Sequence, residues 1–379
     1  MTLSPLSAPA ARQKASTPPS TGVMRRWLSP LIEPSVFDFW AAHLNPAWSW
    51  SRPLVRIVAR RVEALDTVTL LLKPNAHVGD YLPGQHVNVS AEVRGRKVTR
   101  SYSLTSLPSQ KLMSITVKRV DGGLLSTHLV QHAQVGDVLE MGPAFGDMVL
   151  PAQPSGRWLF LAAGSGITPL MALTRALAAR QMPVELTLIY WAKTRAELCF
   201  LRELQALAVR EPRFRVVTVL THEAETLAHE HRGLISQAQL DDLVPALHEH
   251  QVYACGPGGF IDAARQLVEP RAQRFVAEGF TPSAPVTTLT DTDIRTVQVH
   301  LARTGRTLAV STGTSLLEAL EAQGLNPRSG CRMGICHTCV CTRHSGSTQD
   351  TLRGDISSET DMAVRLCVSR ATSDLSLDL

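Results

Sequence analysis

The chain has 379 residues, 44% of them hydrophobic, which is enough for two or three domains that each bury a core. Its 38 Lys and Arg against 33 Asp and Glu leave a net charge of only +5, and no basic block is interleaved with aromatics, which argues against a nucleic-acid partner. Seven cysteines without a secretory signal pattern set the expectation of a reducing, cytoplasmic setting.

Residues 1–23 are rich in Ser, Pro, Ala and Thr and read as a disordered tail, because they carry too little apolar surface to order themselves. Residues 24–52 differ sharply: MRRWLSPLIEPSVFDFWAAHLNPAWSW holds four of the six tryptophans. Two readings compete for this extension. In one, short helical turns broken by Pro34 and Pro46 lie over the next domain and bury their aromatics. In the other, tryptophan and arginine form a docking surface for a membrane or a membrane-bound partner. The prolines favour packing.

Residues 53–152 read as short strands between turns: VRIVARRVEA, TVTLLLKP, HVNVSAEV, KVTRSYSLTS, LMSITVKRV and VLEMGPAF. Their alternation predicts a small antiparallel barrel. Arg100, Ser101, Tyr102, Ser103, Leu104 and Thr105 combine a cation, an aromatic ring and hydroxyl groups, the set that a flavin phosphate and isoalloxazine require. Pro83-Gly84-Gln85 precedes this run. Gly123, Leu124, Leu125 and Ser126 follow it at a helix start, where free N–H groups suit a diphosphate and hence FAD over FMN.

Residues 153–281 switch to alternating strands and helices, the pattern of a Rossmann-like parallel α/β nucleotide-binding domain. The uncharged run Trp158 to Thr174 contains Gly-x-Gly and a proline, so it predicts strand, loop and helix start and no transmembrane segment. Gly164, Ser165, Gly166 and Thr168 form one strand-end loop, and Cys255, Gly256 and Pro257 another, where parallel sheets bind ligands. Lys193 and Arg195 stand where an acidic residue would hold the ribose of NADH. A basic pair there favours the 2′-phosphate of NADPH, with NADH still open.

Residues 282–293, Pro- and Thr-rich, read as a linker to a C-terminal domain at 294–379. Cys331, Cys336 and Cys339, with Cys367 after a 27-residue gap, make C-x4-C-x2-C…C, the spacing of a plant-type 2Fe-2S cluster. Zinc sites prefer two short pairs, and disulfides suit small secreted domains. Cys341 reads as a neighbouring strand thiol. Strands TVQVHLA and TLAVS, the helix SLLEALEAQG and a closing strand through Cys367 are compatible with a β-grasp ferredoxin fold.

R-x-Y-S, G-S-G-I-T-P, C-G-P and the four-cysteine module, in this order from about residue 54 to the end, resemble the ferredoxin-NADP reductase superfamily. The layout is similar to oxygenase and desaturase reductases with a C-terminal ferredoxin, such as the phthalate dioxygenase and phenylacetyl-CoA epoxidase reductases. The wording SGCRMGICHTC and FDFWAAHLNPAWSW resembles bacterial partners of membrane acyl-CoA desaturases. The resemblance implies that Arg100, Tyr102 and Ser103 hold the flavin with Ser103 near N5, that Cys255 flanks nicotinamide C4, and that Thr168 contacts the nicotinamide end. It also implies a catalytic role for Glu278 in EGF. Phe145 departs from the glycine common in relatives.

The implied activity is an NAD(P)H-dependent reductase that passes electrons through FAD and a 2Fe-2S cluster to a separate oxygenase. The acceptor suggested is a membrane diiron fatty acyl desaturase or hydroxylase, which would place the protein at the membrane edge through its partner. The alternatives are the reductase of a soluble Rieske or diiron oxygenase, or an electron-transfer subunit of another dehydrogenase. Residues 291–379 hold nine Arg and ten Asp or Glu, and this near-neutral balance suggests that tethering replaces electrostatic docking.

Overall fold

A computed structural model describes residues 33–281 and 294–379, so the 1–23 tail, residues 24–32 and the 282–293 linker lie outside the described residues. The chain divides into two compact units, Met1–Ser51 and Arg52–Leu379. In the first, α1 (Pro34–Leu44) is one three-turn helix rather than a series of broken turns. Pro34 sits at its first position, where a missing N–H costs nothing, and Pro46 lies past its end. Asp38 accepts hydrogen bonds from Ser49 Oγ (2.9 Å) and Trp50 N (2.5 Å), and the Phe37 and Trp50 rings meet edge to face at 5.2 Å. That contact uses one side of the helix. Phe39, Trp40 and Leu44 remain 60%, 65% and 80% exposed.

The larger unit begins with β1 (Leu54–Ala64), β2 (Thr67–Pro74), β3 (His86–Val93), β4 (Arg96–Ser103), β5 (Met113–Lys118) and β6 (Val138–Phe145). They form an antiparallel sheet in the order β4-β3-β6-β1-β2-β5, and a bridge from Leu104 to Ile115 draws its two edges together. Alternation decides which side chains fill the barrel: Val87 and Val89 are buried, while Asn88 between them points outward. A short helix, α2 (Leu124–Thr127), runs into a wide turn at His128–His132 and seals the barrel with Leu125 and Leu129.

Next come β7 (Arg157–Ala163), α3 (Ile167–Ala179), β8 (Glu185–Ala192), α4 (Leu201–Arg210), β9 (Phe214–Leu220), β10 (Glu230–Arg232), α5 (Gln237–Leu243), β11 (His250–Gly256), α6 (Gly258–Val268) and β12 (Arg274–Gly279). All six strands are parallel, in the order β10-β9-β8-β7-β11-β12. Continuous apolar runs in β7 and β8 follow from burial on both faces, by one core around Phe160 and Leu188 and another around Leu159 and Ile189. The strand order reverses between β7 and β11. A crevice at their carboxyl ends is the position where such sheets bind ligands.

After the linker, β13 (Thr296–Leu301), β14 (Arg306–Ser311), α7 (Leu316–Ala322), β15 (Val340–Ser345), β16 (Thr348–Asp350), β17 (Ile356–Ser357), β18 (Met362–Arg365), β19 (Ser369–Ala371) and β20 (Leu375–Leu377) complete the fold. Parallel β13 and β20 lie at the centre of β14-β13-β20-β15-β18, the β-grasp pattern, with α7 packed on it through Leu316 and Leu320. Ser315 and Glu318 form a reciprocal capping box at the start of α7. Cys367 stands in a 3-10 turn, Leu366–Val368, and not on the expected closing strand, because β18 ends at Arg365.

Candidate flavin, nicotinamide and iron-sulfur site

The register of β3 against β4 pairs His86 with Ser103, Val87 with Tyr102 and Asn88 with Ser101. Arg100 is partly buried and donates to the Thr99 carbonyl at 2.7 Å, and burial lowers its pKa. Burial raises the Tyr102 phenol and keeps it neutral, with its ring against the barrel core. Leu104 and Thr105 are fully buried, and the Thr105 hydroxyl bonds to Ser114, so both build the strand end. At the second expected phosphate position, Ser126 Oγ accepts from Val120 N and donates to the Gly123 carbonyl. A Cβ at Gly123 would lie 2.5 Å from that hydroxyl, so this tight turn requires glycine.

The two loops on the parallel sheet are locked together by their glycines. A Cβ at Gly166 would lie 2.0 Å from the Cys255 carbonyl oxygen, and one at Gly256 would lie 2.9 Å from both Ala163 Cβ and Phe260 Cδ1. Backbone therefore meets backbone at the switch point, and the G-S-G turn stands at the start of the thirteen-residue α3. The Thr168 hydroxyl donates to the Ser165 carbonyl at 2.9 Å, which holds the turn. Lys193 is exposed at the end of β8. Arg195 instead grips Glu230 through Nε and Nη2 (2.8 and 2.6 Å), and its backbone N–H donates to Glu223. That guanidinium pushes the Glu230 carboxyl down to about 2.

Between barrel and sheet runs a line of side chains drawn from four distant segments. Ser103 Oγ meets His86 Nδ1 at 2.9 Å, and His86 Nε2 hydrogen-bonds Glu278. Glu278 lies on β12 directly opposite Cys255 of β11. The His86 and Glu278 side chains are only 3% and 12% exposed, so these polar groups satisfy one another away from water. Burial, then the Glu278 charge, push the Cys255 thiol well up and keep it neutral. Phe145 and Phe280 hold the imidazole edge to face at 5.8 and 5.9 Å. Ser103, Cys255 and Glu278 are thus brought to one place: His86, which the sequence reading did not single out, joins Ser103 to Glu278, and Glu278 stands opposite Cys255. His86 directly follows Pro-Gly-Gln, where Gly84 has φ +95° and a Cβ would lie 2.0 Å from the Met148 carbonyl oxygen. That obligatory turn aims His86 at Ser103.

The four cluster cysteines form two pairs. Cys339 and Cys367 sulfurs lie 3.3 Å apart, and Cys331 and Cys336 share a hydrogen bond. Two pairs suit two irons, each held by two thiolates. Within the first pair the hydrogen bond pushes the Cys336 thiol down and holds Cys331 up; within the second it pushes Cys339 down and holds Cys367 up. Backbone N–H groups of Met333 and Cys336 aim at Cys331 Sγ (3.3 and 3.4 Å), and that of Cys331 aims at Cys336 Sγ (3.2 Å). Donors to ligand sulfurs are what a cluster of this type requires. The buried Cys341 thiol sits apart on β15 and is raised to about 11 by burial.

A flavin-binding barrel, a parallel nucleotide-binding sheet and a cysteine-paired ferredoxin domain define a pyridine-nucleotide-dependent flavin and iron-sulfur oxidoreductase. Three family models match: the oxidoreductase FAD-binding domain over residues 56–149, the oxidoreductase NAD-binding domain over 160–266, and the 2Fe-2S iron-sulfur cluster binding domain over 299–372. An NADPH oxidoreductase of Mycobacterium tuberculosis is 34% identical over 95% of this chain and 93% of its own. The glycine betaine monooxygenase reductase subunit of Pseudomonas aeruginosa is 28% identical over 88% of this chain and 98% of its own. The fold also matches that of phthalate dioxygenase reductase, with a TM-score of 0.58 at 23% identity, over 86% of this chain and 97% of that one. The chain belongs to the ferredoxin-NADP reductase superfamily, in the group that carries a 2Fe-2S domain.

Proposed function

We propose that the protein takes electrons from NADPH and delivers them, one at a time, to a membrane-bound diiron fatty acyl desaturase or hydroxylase. The proposed divisions are a flavin domain at 53–152, a nicotinamide domain at 153–281 and a cluster domain at 294–379. The bound flavin would accept a hydride from the nicotinamide and release its two electrons singly to the irons. Arg100, Ser101 and Tyr102 hold the flavin, with Gly123 to Ser126 at its diphosphate. Gly164 to Gly166 and Thr168 seat the dinucleotide, and Cys255, Gly256 and Pro257 close over the nicotinamide. Ser103, oriented by His86, presents its hydroxyl to the reacting edge. Glu278 holds or returns a proton through His86, and the neutral Cys255 thiol excludes water. Cys331 and Cys336 hold one iron, and Cys339 and Cys367 the other.

NADPH is preferred because Lys193 stands exposed at the β8 end, and because the M. tuberculosis relative bears that cofactor in its name. The membrane partner rests on the exposed aromatic face of α1, preceded in sequence by Arg12, Lys14, Arg25 and Arg26 without an acid before Glu33. A soluble oxygenase is the second reading, supported by the name of the glycine betaine relative. Turnover of NADPH with desaturase-bearing membranes, measured for the full chain and for a Phe39→Ser, Trp40→Ser double variant, separates the two. The membrane reading predicts loss of turnover in the variant with an artificial soluble acceptor still reduced normally. No membrane-dependent turnover in either protein would favour the soluble partner, and equal turnover in both would exclude the α1 face as the docking surface.

A further inference from the structure

We infer that Asn88 is the residue that positions the cluster loop against the flavin strand. Asn88 projects from the outer face of β3 between the buried Val87 and Val89. Its Oδ1 accepts a hydrogen bond from Ser101 Oγ at 2.6 Å, and its Nδ2 donates to Thr338 Oγ1 at 2.9 Å. Ser101 lies between Arg100 and Tyr102, and Thr338 lies between Cys336 and Cys339. One amide therefore joins the strand proposed to hold the flavin to the loop proposed to hold the irons.

A second contact fixes the same side chain from the other end of the loop. A Cβ at Gly330 would lie 2.8 Å from Asn88 Oδ1, 3.0 Å from Asn88 Nδ2 and 2.9 Å from Cys336 Sγ. The backbone just before Cys331 thus lies between the Asn88 amide and the Cys336 sulfur, where an added Cβ would have to displace one of those side chains. An amide suits the position because it accepts from one hydroxyl and donates to the other without a charge beside the irons. With both groups bound, each transfer along this contact would oxidise the flavin by one electron and convert one ferric ion to ferrous. No atom crosses the amide; its part is to hold donor strand and acceptor loop at a fixed separation.

The inference rests on the flavin and cluster assignments above, so flavin and iron content of the wild-type chain are measured first: their absence would defeat those assignments. With both present, anaerobic stopped-flow mixing of the holoprotein with NADPH follows flavin bleaching and cluster reduction separately. Asn88→Leu, similar in size but without polar atoms, should leave flavin reduction unchanged and slow cluster reduction by about tenfold or more, the factor set by a lost hydrogen bond on a docked population. Asn88→Asp can accept from Ser101 and from a rotated Thr338 hydroxyl, so it should slow the step less than Asn88→Leu does, while its charge beside the irons keeps the recovery incomplete. Thr338→Val tests the same link from the loop side, should Asn88→Leu fail to fold, and must slow the same step. The two changes combined should cost no more than the larger one. Backbone hydrogen exchange over residues 328–340 should rise in Asn88→Leu while the cluster's electron paramagnetic resonance spectrum stays the same. A normal cluster-reduction rate in Asn88→Leu, full additivity of the two changes, or slowing accompanied by an altered cluster spectrum would overturn the inference.

Discussion

The junction between barrel and parallel sheet and the loop that carries the cluster cysteines are built in opposite ways. At the junction, positions 86, 103, 255 and 278 come from four strands and meet only through sheet register and the docking of one layer on another. In the loop, residues 330–339 supply three of the four proposed ligand cysteines and the N–H donors to their sulfurs from one short stretch, and only Cys367 arrives from afar. Burial follows the same division. The junction is enclosed, which keeps Cys255 neutral and lets His86 and Glu278 satisfy each other, whereas the cluster pairs are half-open, with Cys331, Cys336 and Cys367 partly exposed. A hydride site needs water excluded, and an electron exit needs a face for a partner. The difference in construction matches that division of labour.

Changes in the two regions should therefore fail differently. Cys331→Ser should have the largest effect, removing one ligand of an iron and abolishing electron arrival at the cluster, while NADPH still bleaches the flavin; visible absorbance during anaerobic reduction reads both. Next is Gly166→Ala, whose added methyl meets the Cys255 carbonyl and should cost about 3 kcal/mol in stability. Thermal unfolding should show that loss, and NADPH-dependent flavin reduction should fall with it. Glu278→Gln keeps the shape of the junction but removes its charge, and should slow flavin reduction by about 10²-fold without altering nucleotide affinity or cluster content. A variant equally impaired in cluster assembly would blur the contrast between the regions.

The smallest effect lies at the rim of the nicotinamide domain. The Glu230 carboxyl is lowered to about 2 from 4.5 by Arg195, so its contribution to stability is complete above pH 4.5 and fades as the pH falls toward 2. Arg195 is more than a third exposed, and solvent screens the pair accordingly. Glu230→Gln should therefore cost about 1 kcal/mol at pH 7, and much less at pH 3, in paired thermal melts. The same variant removes the paired carboxylate from Arg195 and leaves it the Glu225 carbonyl and the more distant Glu223, so a lower KM for NADPH with an unchanged KM for NADH would locate the 2′-phosphate beside it.

What the sequence revealed tracks this contrast. The fold class, the six barrel strands and the parallel sheet were legible because alternation and apolar runs are local signals. The cysteine spacing was legible because its loop is local too. Ser103, Cys255 and Glu278 could be nominated individually through family resemblance, but nothing in the chain indicated that His86 joins Ser103 to Glu278, since the contact between His86 and Glu278 spans 192 residues. The available signal was slight: a histidine immediately after the Pro-Gly-Gln turn. Asn88 and Thr338, separated by 250 residues, were equally hidden. Arg195 looked like a free cation because Glu230 lies 35 residues away, on a short strand that periodicity does not mark. The aromatic extension was expected to form broken turns, yet Pro34 begins a helix, which a proline at the first position permits.

The central claim is that electrons from the nicotinamide reach the cluster within a single chain. Anaerobic stopped-flow reduction of the holoprotein by saturating NADPH, repeated over a wide range of protein concentrations, tests it most directly. Cluster reduction that follows flavin bleaching with a first-order rate independent of protein concentration is the expected result. A rate that rises with concentration, or a cluster that stays oxidised while the flavin is fully reduced, would contradict it.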